Sequence, residues 1–516
     1  MKFLQFSVLP FLIVILSLNG ATLAHPYGDF LHCLSLRISN SSAISKVFYT
    51  QNNPSYSSVL NASIQNTRFS TPTTPKPYAI ITPRKTSHVQ STIYCSKNHG
   101  FQLRIRSGGH DVEGVSYVSQ VPFVILDLVN FRAVKVDTKN EVVWVQSGAT
   151  TGELYYGIAS KTQTLGFPAG ICHTIGIGGH LSGGGFGILG RKYGLAADHI
   201  IDAKLIDANG RILNRKSMGE DLFWAIRGGG GNTFGVVLAW KIKLVPVPPV
   251  VTVFTVNKNL EQNATKIFHR WQYIAHKLPN DLFTAVWIMK VNSSQVGKKT
   301  VQAGFRGMFL GGVDELIPLI QHEFPELGLA KENCTQMSWV QSILYFGGLP
   351  IQPVEILLNR NALPRSSLKA KTDFVKEPMP ETGIEGFMNM FLEEEADFAI
   401  TMIEAFGGKM DEIQENELPT HIEQASYAGT YINWIRRLYS YMASYVSKSP
   451  REAYYNYKDL DLGTNNVNGY TSYEQASVWG LKYFKNNFKR LVQIKTMIDP
   501  MNFFRNEQSV PHLWSP

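Results

Sequence analysis

Gly176-Ile177-Gly178-Gly179-His180-Leu181-Ser182-Gly183-Gly184-Gly185-Phe186-Gly187 offers a run of backbone amides with few Cβ atoms in the way, so a phosphate or a ring edge can approach the main chain. Tight turns would use the same residues. Glycine at this density nevertheless costs conformational entropy that turns alone rarely justify, so a cofactor loop is expected. The 43 glycines of the 516-residue chain also concentrate between Gly108 and Gly235, which widens the region expected to cradle a ligand. Gly185-Phe186-Gly187-Ile188-Leu189-Gly190 matches G-x-G-x-x-G, yet no strand precedes it and no clean helix follows, so a Rossmann fingerprint is rejected. Gly228 to Gly231, followed by Asn232-Thr233-Phe234-Gly235, leads into a strand, and no Walker sequence occurs.

Around this loop, from Pro77 to Val245, short β-branched runs alternate with glycine-rich turns: Ala79 to Ile81, Gln102 to Arg106, Phe123 to Leu126, Val142 to Val145 and Val236 to Val245. Thr86 to His99 has helical spacing, giving a strand-helix-strand opening to a sheet-rich α+β unit. At Pro246-Val247-Pro248-Pro249 the texture changes, which marks a boundary near 250. Beyond it, Val253 to Val256, Ala285 to Val291 and Thr300 to Phe309 read as strands, and Leu260 to Leu278 and Val313 to Phe324 as helices. Antiparallel strands backed by helices fit that order. Tyr473 to Met497 reads as one charged, aromatic amphipathic helix, before a compact tail at Asp499-Pro500-Met501-Asn502-Phe503-Phe504.

Hydrophobic residues at 44% against 17% charged exclude disorder, and the length favours two domains over one. Lys2, the apolar run Phe3 to Leu18 and Thr22-Leu23-Ala24 read as a cleavable secretory signal over residues 1–24. The best later candidate for a membrane span, Val236 to Phe254, is broken by Lys241, Lys243 and three prolines. The net charge of +9 falls to +8 when Lys2 leaves with the signal, 48 basic against 40 acidic residues. These charges are scattered as singles and pairs, so no nucleic acid is expected as a partner. Asn-x-Ser/Thr sequons stand at Asn40, Asn61, Asn263, Asn292 and Asn333 and are expected glycan sites in a secreted chain. The four cysteines allow three full pairings, or one disulfide and two special thiols.

His110 lies in Arg106-Ser107-Gly108-Gly109-His110-Asp111, and Cys172 in Pro168-Ala169-Gly170-Ile171-Cys172-His173-Thr174. Each alone would be read as a solvated histidine or a packing thiol. Metal binding by His110, Cys172, His173 and His180 lacks the paired C-x2-C or H-x3-H spacing of zinc sites, so no metal is expected.

Taken together, Arg106 to Gly114, the Cys172 segment followed by Gly178-Gly179-His180, Arg191-Lys192-Tyr193-Gly194-Leu195-Ala196-Ala197-Asp198 and Gly219-Glu220-Asp221-Leu222-Phe223-Trp224-Ala225-Ile226-Arg227-Gly228-Gly229-Gly230-Gly231 resemble the berberine bridge enzyme-like flavoproteins of plants. The resemblance covers nearly the whole mature chain. It implies a vanillyl-alcohol-oxidase, PCMH-type FAD-binding domain over 25–250 (core about 74–248). An antiparallel-sheet substrate domain over 251–447 follows, and 448–516 returns to the FAD domain. It further implies bicovalent FAD, with His110 on the flavin 8α carbon and Cys172 on C6. Arg106, Ser107, Gly108, Gly109, Asp111, Gly178, Gly179, His180, Gly183 and Gly184 would surround it. The pairing Cys33–Cys95 follows from the same resemblance.

The implied activity is oxidation of a plant specialised metabolite, an alkaloid or a phenolic, by hydride transfer to flavin N5. The alternatives are a carbohydrate or monolignol dehydrogenase, or a catalytically altered flavoglycoprotein with a binding, defence or non-redox cyclising role. A small-molecule substrate and O2 or another electron acceptor are the expected partners of a monomer with no membrane contact once the signal is cleaved. The expected location is the secretory pathway, leading to the apoplast, a vacuole or an ER-derived vesicle. Tyr473 is the candidate base, and Ile175, where oxidases of the family tend to carry valine, is the candidate oxygen gate. Two departures from the family stand out: Phe186 replaces a tyrosine in the glycine loop, and the substrate-domain strand after Glu417-Leu418-Pro419 is expected to be missing. Losing an interior strand would leave unpaired backbone groups and an open pocket wall.

Overall fold

The computed structural model describes residues 26–38, 46–349, 351, 353–419, 425–429 and 431–513; the expected signal segment and Asn40 lie outside these residues. Four short strands open the fold: β1 (Phe48–Thr50), β2 (Ala79–Ile81), β3 (Gln102–Arg106) and β4 (Phe123–Asp127), in the order β1-β2-β4-β3. β4 runs parallel to both β2 and β3. Parallel strands buried on both faces need apolar residues without alternation, and this sheet has them. Ala79, Ile81, Val124 and Leu126 pack with Phe30, Val89 and Ile93 of the covering helices, while Ile80, Phe123 and Ile125 meet Tyr56, Leu60 and Tyr117 behind. The two helices on the first face, Pro26–Arg37 and Thr86–Asn98, are joined by the disulfide Cys33–Cys95.

The second sheet is antiparallel. It comprises β5 (Val134–Asp137), β6 (Val142–Gln146), β8 (Ile200–Ile206), β9 (Ile212–Leu213) and β10 (Val236–Lys243), ordered β5-β6-β10-β8-β9. A two-stranded ribbon of β7 (Leu165–Gly166) and β11 (Val245–Pro246) flanks it. After the proline cluster the chain enters a seven-stranded antiparallel sheet of order β15-β12-β14-β13-β17-β18-β16. These strands are β12 (Val251–Asn259), β13 (Leu282–Asn292), β14 (Lys299–Phe309), β15 (Cys334–Met337), β16 (Lys369–Asp373), β17 (Ile400–Glu404) and β18 (Ala425–Gly429).

The two-residue period of a strand gives this sheet two different faces. Val286, Ile288, Ala303 and Phe305 pack under the helices Ala264–Ile274, Val313–Glu323, Glu381–Met390 and Ile432–Met442. Phe283, Ala285 and Met308 look the other way, into the core shared with the second sheet. The fold is therefore α+β, with two N-terminal sheets beside an antiparallel sheet backed by helices.

Two expectations are corrected. The strand after Pro419 is present: β18 pairs with β17 on one side and β16 on the other, so the sheet has no interior gap. Its sequence, Ala425-Ser426-Tyr427-Ala428-Gly429, is small and almost free of β-branching, and its order comes from two neighbouring strands rather than its own pattern. The expected single helix from Tyr473 is two, Tyr473–Phe484 and Asn487–Ile498, broken where Lys485 takes a φ of 48°. The break lets Phe484 stack on Phe488, with their centroids 6.3 Å apart. The second of these helices anchors the C-terminal tail. Lys495 Nζ donates to the Thr233 and Phe504 carbonyls and to Asp499, while Asp499 accepts the Phe503 and Phe504 amides.

Candidate active site

A cavity of about 600 Å3 lies between the first two sheets and the inner face of the seven-stranded sheet. Its floor is made by two loops that approach each other as only glycines can. A Cβ on Gly108 would sit 2.3 Å from the Gly176 nitrogen. Gly109, at a φ of +71°, has the Ser63 carbonyl oxygen where its Cβ would be. This packing sets the next residue, His110, at the cavity wall, and a buried ion pair holds the strand feeding the loop. Arg106, fully buried, donates to Asp127 and to the Val59 and Leu60 carbonyls.

His110 and Cys172, 62 positions apart, converge on one hydroxyl. Thr174 Oγ1 is 2.8 Å from His110 Nε2 and 3.5 Å from Cys172 Sγ. Burial, reinforced by neighbouring His173, pushes the His110 imidazole down to about 4, so it is neutral at physiological pH with an available lone pair. The Cys172 segment is pinned by Thr151, whose hydroxyl donates to the Cys172 carbonyl, while His173 turns to the Asn359 carbonyl.

The glycine run forms a short helix, Ile177–Ser182, whose Gly178 and Gly179 face the cavity; nothing stands within 4 Å of where a Gly179 Cβ would be. His180, driven down to about 4 by burial, accepts the Gly170 amide on Nε2 and is thereby a neutral structural group. Further along, Tyr454 Oη accepts the Gly185 and Phe186 amides and the Asn456 side-chain amide. Phe186 itself packs on Phe406, 4.8 Å between centroids. The buried Ser116 and Ser147 hydroxyls at the cavity wall have no hydrogen-bond partner among the described residues, which suits a polar ligand running along them.

The opposite wall is apolar and aromatic: Phe283 and Trp287 from β13, Phe346, Leu363 and Met402. Set among them are Glu404, at the end of β17, and Tyr457. Burial raises Glu404 to about 7, and it raises the Tyr457 phenol as well, with the charges of Glu404, Tyr454 and Cys172 adding to the effect.

Several expected residues are brought together here: Ser107, Gly108, Gly109, His110, Asp111, Cys172, Ile175, Gly178, Gly179 and His180 all line the cavity. Others are not. Arg106 is consumed by Asp127 and backbone carbonyls, and Gly183 and Gly184 shape the loop behind, Gly183 against the Asn456 side chain. Tyr473 does not line the cavity: its ring stacks on Phe488 at 5.5 Å, against the core. Thr174, Tyr454, Tyr457 and Glu404 went unremarked in the sequence; a lone carboxylate closing the apolar run Ile400-Thr401-Met402-Ile403 was the one available signal. Of the sequons, Asn61, Asn263 and Asn292 are exposed, and Asn333 is half-buried, its side-chain oxygen accepting the Ala330 amide.

Comparison with known proteins bears on this geometry. A model of the FAD binding domain matches residues 77–215, and one described as berberine and berberine like matches residues 453–511. Tetrahydroberberine oxidase of Berberis wilsoniae is 49% identical over 502 residues, 94% of this chain and 94% of that protein. The structure of berberine bridge enzyme-like protein 28 from Arabidopsis thaliana covers 94% of this chain and 100% of its own, with 46% identity and a TM-score of 0.88. That of Phl p 4.0202, described as a glucose dehydrogenase, covers 94% and 100% with 42% identity and a TM-score of 0.89. Identity at this level along almost the full length, on a fold with the same cofactor domain, makes the chain a member of the berberine bridge enzyme-like family of FAD-dependent oxidoreductases.

Proposed function

We propose that this protein is a secreted oxidoreductase carrying FAD bonded twice, through His110 to the 8α carbon and through Cys172 to C6, and that it oxidises an alkaloid or phenolic metabolite. The observation that carries this reading is the convergence of the imidazole and the thiol on Thr174 Oγ1 at the wall of one large cavity. The residues suit the cofactor: close-approaching glycines, unpaired Ser116 and Ser147 hydroxyls, and a neutral imidazole able to form a carbon–nitrogen bond. Bound there, FAD supplies the two-electron, hydride-accepting chemistry. The chain's own residues do the rest. Thr174 orients both tethers, Tyr454 fixes the glycine loop, and the Phe283, Trp287 and Phe346 rings exclude water and stack on an aromatic substrate. That wall favours an alkaloid or phenolic over a sugar, and a tetrahydroberberine oxidase is among the relatives.

The domain assignment 25–250, 251–447 and 448–516 is part of this reading, as is the leader over residues 1–24; the Cys33–Cys95 disulfide fits an oxidising compartment. Glycans are proposed on the sequons at Asn40, Asn61, Asn263, Asn292 and Asn333. Acid precipitation tests the tethers. The wild-type pellet should stay yellow, the single variants His110→Ala and Cys172→Ala should keep colour through the remaining bond, and the double variant should release it. A colourless wild-type pellet would overturn the bicovalent assignment.

Ile175 lines the same cavity beside the Cys172 loop, and we place the control of oxygen there. A grass pollen neighbour is described as a glucose dehydrogenase in its wild type and as a glucose oxidase when an isoleucine is replaced by valine. Photoreduced wild-type protein mixed with aerated buffer is expected to reoxidise slowly, and Ile175→Val to do so faster by an order of magnitude or more. Equal stopped-flow traces would remove Ile175 from the role.

A further inference from the structure

We propose that Glu404 is the catalytic base of this enzyme, and that it recognises its substrate as a cationic amine: the carboxylate holds the N–H of a protonated nitrogen and takes that proton as the adjacent carbon is oxidised. The inference deepens the alkaloid reading and rests on it. The position follows from sheet register. Glu404 on β17 stands opposite Ala285 on β13, which in turn stands opposite Arg306 on β14, and cross-strand partners share a face. On the β13 side the flanking side chain is therefore a methyl group rather than a donor, and the next positive charge along that register, Arg306, is turned onto the Trp287 ring at 3.7 Å. From the C-terminal segment the groups facing Glu404 are the Tyr454 and Tyr457 phenols, both raised by burial and neutral at physiological pH. Among the described residues Glu404 has no hydrogen-bond or ion-pair partner, yet it lines the substrate side of the cavity with Phe283, Trp287 and Met402.

A lone carboxylate framed by aromatic faces is the chemistry that recognises an ammonium ion: the anion supplies the charge and the rings the cation–π surface. Burial also lifts Glu404 to about 7, so it can hold an ammonium as an anion and still accept its proton. The step balances. The N–H bond breaks with its proton moving to Glu404. The neighbouring C–H bond breaks with its electron pair leaving as hydride to the oxidised flavin, and the nitrogen lone pair closes the C=N bond of an iminium product.

The test compares wild type with Glu404→Gln as holoproteins, using N-methyl-1,2,3,4-tetrahydroisoquinoline as the oxidisable amine. Its quaternary N,N-dimethyl cation and neutral tetralin serve as non-reacting probes. Glu404→Gln should keep its covalent flavin and visible spectrum while anaerobic flavin reduction by the amine falls roughly 100-fold or more. The rise of that rate through pH 7 should vanish, and Glu404→Asp should restore part of both. By calorimetry the quaternary cation should bind wild type about 10-fold or more tighter than the variant, the value of a buried charge contact of ~1.4 kcal/mol, with tetralin indifferent. A variant that is reduced at the wild-type rate, or that binds the cation equally well, overturns the assignment. Failure of amine chemistry itself would show in the wild type, as flavin untouched by the amine but bleached by glucose or coniferyl alcohol.

Discussion

Lys495→Ala is expected to destabilise the protein by about 3–5 kcal/mol, a large part of the roughly 5–15 kcal/mol that holds a native domain together. Lys495 is completely inaccessible, and its ammonium is the hub of the C-terminal closure: it bonds Asp499 and the carbonyls of Thr233 and Phe504. Removing it strands the Asp499 carboxylate in the interior and leaves two buried carbonyls without a donor. A thermal scan should show a much lower midpoint, and secretion yield should fall with it. The double variant Lys495→Met, Asp499→Asn should recover part of the loss, because the uncompensated charge is gone while the one Asn side-chain oxygen can still accept one of the two amides that Asp499 receives from Phe503 and Phe504. A Lys495→Ala midpoint within a degree or two of wild type would refute the account.

Acid should act through the buried histidines, His180 foremost. Its value in the fold, about 4, lies below the ordinary 6.5, so the unfolded chain takes up the proton first. Stability is therefore intact above about pH 6.5, falls as pH drops from there towards 4, and levels off below. The cost for this one residue reaches about 3 kcal/mol. Protonation would also remove the lone pair that receives the Gly170 amide. Urea midpoints measured between pH 7 and pH 4 should decline, and His180→Gln, which retains an acceptor, should flatten the decline by about one proton's worth. An identical slope in the variant would assign the acid lability elsewhere.

What the sequence disclosed divides along physical lines. The glycine run, the His110 and Cys172 loops and strands β2, β3, β4, β6 and β10 were legible because each carries a local signature, missing Cβ atoms where backbones touch or apolar and β-branched runs between turns, whereas β1, β5, β8 and β9 went unread. β18 was not, since Ala425 to Gly429 has little preference of its own and is held between two neighbours. The break at Lys485 was hidden for a related reason, because only the Phe484–Phe488 stack across it reveals why the helix ends there. Arg106 and Tyr473 lie within stretches that match the family, but matching places a residue along the chain without saying where its side chain points. Arg106 turns into the core and Tyr473 onto Phe488. Glu404 was overlooked for the converse reason, since the one signal it gives, a carboxylate ending a strand, is ordinary until the cavity is found beside it.

β16 joins two tasks in adjacent residues. Leu368, just before it, and Ala370 line the cavity, whereas Lys369 and Lys371 point away into a buried charge cluster with Glu113, Asp459 and Asp461. Glu113 follows His110 by three positions, and Asp459 follows Tyr457 by two, so this one strand fastens the His110 loop to the tyrosine segment. The strand's alternation therefore separates two kinds of change: exchange at 368 or 370 alters the cavity wall, and exchange at 369 or 371 loosens the seam between the two segments.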